Sequence, residues 1–469
     1  MRSTLLPRGS RSYDGLRAPG LPLSIGAAFF AIYILAAYMG QTMMIGVMGL
    51  SLLACVAVVC LRLPVACCAI WLLVVGSTPE MWLGDLMPGQ ASLITALVKA
   101  SGFGLAAICI LRYGLLVDLL NPGWAFVLMF FTAYSHGLHP NLTVSDSIRT
   151  VIGSSAPYAF SFSRLSRRWC AVIIETTMWV PTLAVGFGAL LAAPGIRPML
   201  APDESGSIRL AGSTHPAFLA GLSMMAIYAA LVELYRTGRT RYTLLVGLNF
   251  LILVITGSRS PLFCAIMVTG ISFVALKSES FTLRKRVVPL LVCLFALPAL
   301  MVLAVTSKSL RILTVLSDDD HGVSMSGRDV IWPYFEAAWN RSPMLGWGVG
   351  ASKQVMDPDS LAAKLLGTTA AHNEFLRLGV DGGYVGIGLV IVFMTLWTWR
   401  WTRLLASTDK VITRLVMIGV SIECITDNML IAAPASVLFV WMTAVFARGR
   451  FETEDAAHGM LPDAELAPA

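Results

Sequence analysis

Charge is what this sequence has least of. Asp, Glu, Lys and Arg together make up 13% of 469 residues, against roughly 25% in an ordinary soluble domain. Hydrophobic residues make up 57% and the mean hydropathy is +0.75, more apolar surface than a soluble core can hide, so the excess faces lipid. A disulfide framework is missing as well. Nine cysteines are present, and Cys55, Cys60, Cys67, Cys68, Cys109, Cys264 and Cys293 lie in apolar runs. None sits in a CxxC pair or beside histidines at metal-ligand spacing, so they read as small buried hydrophobes. Internal repeats and low-complexity stretches are also lacking. The formal charge of +7 does not point to nucleic acid, because the basic residues come in short clusters between apolar runs.

Apolar runs long enough to cross a bilayer occur at 21–40, 42–61, 92–112, 169–193, 215–235, 242–257, 260–277, 287–305, 382–399, 411–428 and 430–447, with shorter ones at 64–77, 122–136 and 150–162. The fold class expected is therefore all-α, a polytopic transmembrane helical bundle of about 12–14 spans with a long, partly helical periplasmic loop. Arg2, Arg8, Arg11 and Arg17 precede the first run, as in an uncleaved first span. Every second connection is basic: Arg62, Arg112, Arg164 with Arg167 and Arg168, Arg236 with Arg239 and Arg241, Lys277 with Arg284 to Arg286, Arg400 with Arg403, then Arg448 with Arg450. By the positive-inside rule these connections and both termini are cytoplasmic. The segments expected are a cytoplasmic stretch over 1–20, spans with short loops over 21–305, a large periplasmic loop over 306–381, further spans over 382–447 and a polar tail over 448–469.

The informative residues gather on the outer face. Arg209, Arg259 and Arg328 run against the charge trend there. A guanidinium fork suits phosphate oxygens at the lipid–water boundary; alternatively each arginine snorkels or pairs with a carboxylate such as Asp329. Ile331, Phe335, Ala338 and Trp339 are spaced for one helical face, as in a helix on the membrane surface with Trp332 and Trp339 at interface depth. Gly346, Gly348 and Gly350 form a Gly-rich turn without the ending of a P-loop. His372 stands just before the next span, where a neutral imidazole can take a proton from a hydroxyl, or where it is simply an interfacial histidine satisfied by hydrogen bonds. Glu374 is a second choice for orienting that ring or acting as base. Asp318 to Asp320 with His321 read as a solvated run rather than a metal site. Lys99, Glu423 and Asp427 fall in or near the ends of spans, so they line a cavity or pair within the bundle.

Several blocks, taken together and in order, resemble the O-antigen ligase and polysaccharide polymerase family: Arg209-Leu-Ala-Gly212 with His215-Pro216, Thr256-Gly-Ser258-Arg259-Ser260, Ser326-Gly327-Arg328-Asp329, Ser342-Pro343 with Gly346 to Gly350, His372-Asn373 and Gly383-Tyr-Val-Gly386. The resemblance covers about 140–400. Ala217 stands where many relatives carry Asn, which bears on acceptor contacts. The resemblance implies a membrane transferase whose donor is a glycan on undecaprenyl diphosphate and whose acceptor is a glycan or the lipid A core, acting at the periplasmic face of the bacterial inner membrane in surface or exopolysaccharide synthesis. It further implies that Arg209, Arg259 and Arg328 hold the diphosphate, that His372 deprotonates or orients the acceptor hydroxyl, and that His215, Asn373 and Glu374 support the site or the acceptor. No nucleotide or metal cofactor is expected, since fixed arginines neutralise the leaving group. The style of the motifs leans to a polymerase over a core ligase. The competing expectation, a transporter or flippase of lipid-linked oligosaccharides, calls for inverted repeats and a midplane site.

Overall fold

A computed structural model describes residues 58–59, 62–87, 91–202, 208–282, 285–286, 328–366 and 368–457. The chain divides into two compact units, Met1–Leu63 and Pro64–Ala469. The spans expected at 21–40 and 287–305, nearly all of 42–61, and the start of the long loop with Asp318 to Asp320 lie outside the described residues.

In the second unit the described chain is helical apart from one short hairpin. It begins with α1 (Pro64–Ser77), α2 (Pro79–Leu86), α3 (Ala91–Tyr113), α4 (Gly123–His136) and α5 (Val144–Ser155), which passes into a 3₁₀ stretch at Ala156–Phe162. Then come α6 (Arg167–Ala192), the strands β1 (Leu200–Pro202) and β2 (Ile208–Leu210), α7 (Pro216–Thr237), α8 (Thr240–Ile255) and α9 (Arg259–Ala275). The last part holds α10 (Arg328–Arg341), a 3₁₀ turn at Ala351–Gln354, α11 (Leu361–Leu366), α12 (Glu374–Thr402), α13 (Ser407–Glu423) and α14 (Ala433–Ala457). Among the described residues, α3, α6, α7 and α12 are long and apolar enough to cross a membrane, and α1 with α2, bent by 62°, make a fifth if they form one broken span. The protein is an all-α, multi-pass membrane protein.

The centre of the unit is α7. Its ends follow from sequence: His215 accepts from Ala217 N as the N-cap, Pro216 occupies the first turn, and Gly238 closes the helix at φ 61°, a left-handed cap that glycine adopts without penalty. Between those ends its side chains are buried on every side from Leu219 to Tyr235, as a helix apolar all round must be. Small residues line it, and a Cβ on Gly221 would stand 2.9 Å from Pro434 of α14. Close approach of this kind supplies the packing that the hydrophobic effect cannot supply between helices in lipid. α6, α8, α9, α13 and α14 surround it.

Two boundaries differ from the sequence expectation. α12 starts at Glu374 rather than 382, because Glu374, Arg377 and Asp381 satisfy one another along one face of the helix. The helix then breaks at Gly383 (φ 60°, ψ −161°), where the freed Tyr384 and Val385 N–H groups donate to Pro343 and Met344 carbonyls at 2.8 and 3.0 Å. The Gly-rich turn closes onto the same break. Trp347 N donates to Val380 O and Gly348 N to Asp381 O, and a Cβ on Gly346 (φ 66°) would lie 2.4 Å from Gly382 N. The motif is therefore a fastener between loop and helix. At the other end, α14 runs to Ala457, into the stretch expected as a tail, because Glu452 and Asp455 pair with Arg236 and Arg167.

α10 is also placed differently from a helix lying on the membrane surface. Ile331 and Phe335 are buried at 2% and 1% exposure, each contributing about 1.5–3 kcal/mol. Trp332 Nε1 donates to Ala371 O at 2.9 Å, and Trp339 packs on Gly379 and Tyr384 of α12. The apolar face that the spacing predicted turns onto α12, not onto lipid.

Candidate functional site

The β1–β2 hairpin, with Ala201 paired to Arg209, carries Arg209 to the turn between α8 and α9. There Arg209 Nε donates to Thr256 O and an Nη to Ser258 Oγ, both at 2.8 Å. The same turn starts α9 at Arg259, whose side chain is exposed. From α9, Ser260 Oγ donates to Glu423 Oε2 and accepts from Thr426 Oγ1 at 2.7 Å. Arg328, first residue of α10, donates to Thr426 O at 2.7 Å. The short turn after α13 is therefore a hub: it holds the arginine-bearing turn on one side and Arg328 on the other.

His372 joins the same hub. Its Nδ1 lies 3.2 Å from Asp427 Oδ1 and its Nε2 lies 3.2 Å from Thr368 Oγ1. An ionised carboxylate only accepts, so the proton of a neutral ring is assigned to Nδ1. That leaves the Nε2 lone pair facing a hydroxyl, an assignment made from the partners, as tautomers are. The ion-pair side chains are 38% and 19% exposed, so the ring can be reached from outside. His372 has φ 47°, a left-handed conformation that costs a non-glycine residue about 1–3 kcal/mol and persists only where its surroundings impose it. The surroundings do so from both sides. Ala371 O accepts from Trp332, Glu374 N donates to Cys424 O at 2.8 Å, and Asn373 Oδ1 caps α12 by accepting from Phe375 and Leu376 N–H at 2.9 and 3.1 Å.

Asp427 is half-buried, and the protein packed around it by itself raises a carboxyl; the hydrogen bond and charge of His372, with the Asn428 N–H and Arg328, outweigh that and hold it below its ordinary value. His215 is pulled down to about 4, by the protein packed around it first and by Arg209 second. The residue is nevertheless exposed to solvent. With Nδ1 accepting from Ala217 N at 3.3 Å, a neutral His215 donates from Nε2.

Arg209, Arg259, Arg328, His215 and His372 are thus gathered by the structure. Asn373 belongs to the same turn, with its side chain spent on capping. Glu374 is not part of the group: it is 1% exposed and bound to Arg377, which also donates to Asp381 at 2.9 Å. The group on His372 Nδ1 is Asp427 instead. Sequence reasoning flagged Asp427 only as an expensive charge near a span end, and Thr368 carried no signal at all. Lys99 lies apart, against Gly153 of α5. Among the described residues no three His, Cys, Asp or Glu side chains cluster as a metal site.

Two comparisons bear on this arrangement. Residues 244–391 match a family model described as O-Antigen ligase. That stretch runs from α8 into α12 and includes Arg259, Arg328, His372, Asn373 and Glu374, while Arg209, His215 and Asp427 fall outside it. No curated protein matches the chain.

Proposed function

We propose that this chain, which belongs to the O-antigen ligase family, moves a glycan from undecaprenyl diphosphate to an acceptor sugar hydroxyl at the periplasmic face of the inner membrane. The basic connections that argue for this orientation keep both termini in the cytoplasm. The observation that carries the reading is the His372 ring, fixed by Asp427 on one nitrogen and offering the other to a hydroxyl, on the same hub as Arg259 and Arg328.

In this reading Thr368 Oγ marks where an acceptor hydroxyl binds. His372 Nε2 takes the hydroxyl proton as the oxygen attacks the anomeric carbon, and the bond from that carbon to the diphosphate breaks. The lipid diphosphate leaves with the electron pair, and the anomeric configuration inverts. Arg209, Arg259 and Arg328 neutralise the charge that develops on the leaving group; fixed donors are effective here because they need not reorganise during reaction. Asp427 stabilises the imidazolium that forms. His215 stands beside Arg209 as a donor to acceptor or phosphate. A metal ion is not required by this scheme. Between acceptors, the style of the motifs favours a second lipid-linked unit, hence polymerisation, over the lipid A core.

The test is glycan transfer by the purified chain, using a lipid-diphosphate oligosaccharide with chelator present. Wild type should extend lipid-linked chains. His372→Ala should lower the rate by about 10²–10⁴-fold, the range of general base catalysis, and Arg328→Ala should weaken donor binding. Transfer only after lipid A core is added would replace polymerase by ligase. Unchanged rates in His372→Ala would remove the base, and donor crossing the bilayer without transfer would favour a transporter.

A further inference from the structure

At the end of the molecule away from His372, several arginines are answered by acids. Arg236 meets Asp409 and Glu452 at 3.3 and 2.6 Å, Arg448 meets Glu233 and Asp409, Arg167 meets Asp455, and Arg241 meets Glu175 at 3.4 Å. Arg403 and Arg414 are different. Among the described residues neither has a carboxylate within ion-pair distance; both instead flank the Trp399 ring, at 5.6 and 4.4 Å from its centre, and Arg414 Nε donates to Thr402 Oγ1 at 3.0 Å. Trp399 is 51% exposed. Two guanidiniums around an exposed indole form an arrangement that suits the membrane interface.

Above them an apolar groove of about 510 Å³ runs between α12 and α13, from Arg414 and Trp399 past Met394, Thr395 and Ile418 up to Phe375. The two helices are tied together at the far end, where Glu374 N donates to Cys424 O at 2.8 Å. Between that tie and the arginines, nothing polar bridges them among the described residues. A greasy trough beside α12, long and apolar enough to span a membrane, that ends at two guanidiniums without a carboxylate partner among the described residues, matches a lipid with an anionic headgroup and acyl chains.

We infer that this groove binds an anionic glycerophospholipid of the leaflet opposite His372, its phosphate between Arg403 and Arg414 and an acyl chain between α12 and α13. The inference needs α12 to cross the membrane and is independent of the transfer reaction proposed above. It has a consequence for the site all the same. α12 begins just after His372 and α13 ends just before Asp427, so a chain wedged between these helices bears on the spacing of that pair.

The test is native mass spectrometry of the full chain in detergent with equimolar phosphatidylglycerol and phosphatidylcholine. Wild type should retain phosphatidylglycerol in preference. Each of Arg414→Gln and Arg403→Gln should cut that retention about fivefold, since a basic side chain at an anionic surface is worth about that factor. Arg414→Lys should keep most of it. Thr395→Trp, which fills the groove without touching charge, should lower retention, and Arg149→Gln, a charge removed at the other end, should leave it unchanged. Equal retention of both lipids in wild type would overturn the inference. So would phosphatidylglycerol binding untouched by Arg414→Gln or by Thr395→Trp.

Discussion

Two charged clusters sit within one turn of each other at the start of α12, and they are built to opposite ends. Glu374, Arg377 and Asp381 are 1%, 4% and 0% exposed at their side chains and bond mainly to one another, with Asp381 also accepting from Ser352 N at 2.8 Å. His372 and Asp427 share a single 3.2 Å contact and remain 38% and 19% exposed. The first cluster has partners on almost every side and no access; the second keeps one nitrogen turned to a hydroxyl. Closure marks a structural ion group, because a buried charge is tolerated only when paired. An open, oriented imidazole in a strained backbone marks a reactive one. Adjacency to His372 in sequence had made Glu374 look like a helper, and burial assigns it to the scaffold.

The comparison breaks most sharply with Arg377→Ala. Two buried carboxylates would lose their partner, a loss of about 3–5 kcal/mol in stability, read as a lower thermal midpoint of the purified protein in detergent. His372→Ala should do the reverse: transfer collapses while the midpoint falls far less than in Arg377→Ala, since alanine keeps the left-handed backbone and only the partly exposed contact to Asp427 is lost. If Arg377→Ala unfolded at the wild-type temperature, the three charges would not be what holds the start of α12.

A finer cut separates orientation from basicity. Asp427→Asn keeps size and removes the charge, so the ring loses both its preferred tautomer and the partner of its imidazolium. Transfer should drop by about 10²-fold or more, with donor binding near wild type. The pH dependence has a defined sign. A carboxyl held below its unfolded value lends stability above that value, about 3.9 for a free Asp, and loses it as pH falls through the lower folded value. Between pH 5 and 8 the Asp427 contribution is therefore constant, and any slope of rate with pH in that window belongs to other groups.

How much of this was readable beforehand follows the range of the interactions. The apolar runs became α3, α6, α7, α8 and α9 with small shifts, because a span is dictated by its own composition. The helix start at Glu374 was hidden by three charges in eight positions, which read as loop until their i, i+3 and i+4 spacing is seen to close on itself. The α10 face was legible in Ile331 and Phe335, but which surface it covers depends on Gly379 and Tyr384, supplied from elsewhere in the chain. His372 could be chosen by type and position. Its partner lies 55 residues further on, at a separation where no local pattern operates, and the hub through Ser260 and Thr426 spans 166. Local physics thus gives the spans and the reactive type, and only the tertiary fold gives the pairing.

The smallest expected effect concerns the other histidine of this end, His215. It is pulled down to about 4 by the protein around it and by Arg209, with Asp427 opposing and His372 and Arg197 adding to the shift. Lowering by folding means that the unfolded chain binds the proton more readily. From about pH 6.5, the ordinary value of a free histidine, down toward 4, stability therefore falls as pH falls, and above that window the term is fully present. Because the residue is exposed, water weakens the slope, and it should be modest beside the effect of Arg377→Ala. His215→Asn retains an N-cap for α7 but does not titrate, so the thermal midpoint of this variant should be flatter between pH 4.5 and 6.5 than that of wild type. If both proteins lose stability in parallel over that range, the proton is going elsewhere, and the placement of His215 beside Arg209 has no electrostatic consequence for folding.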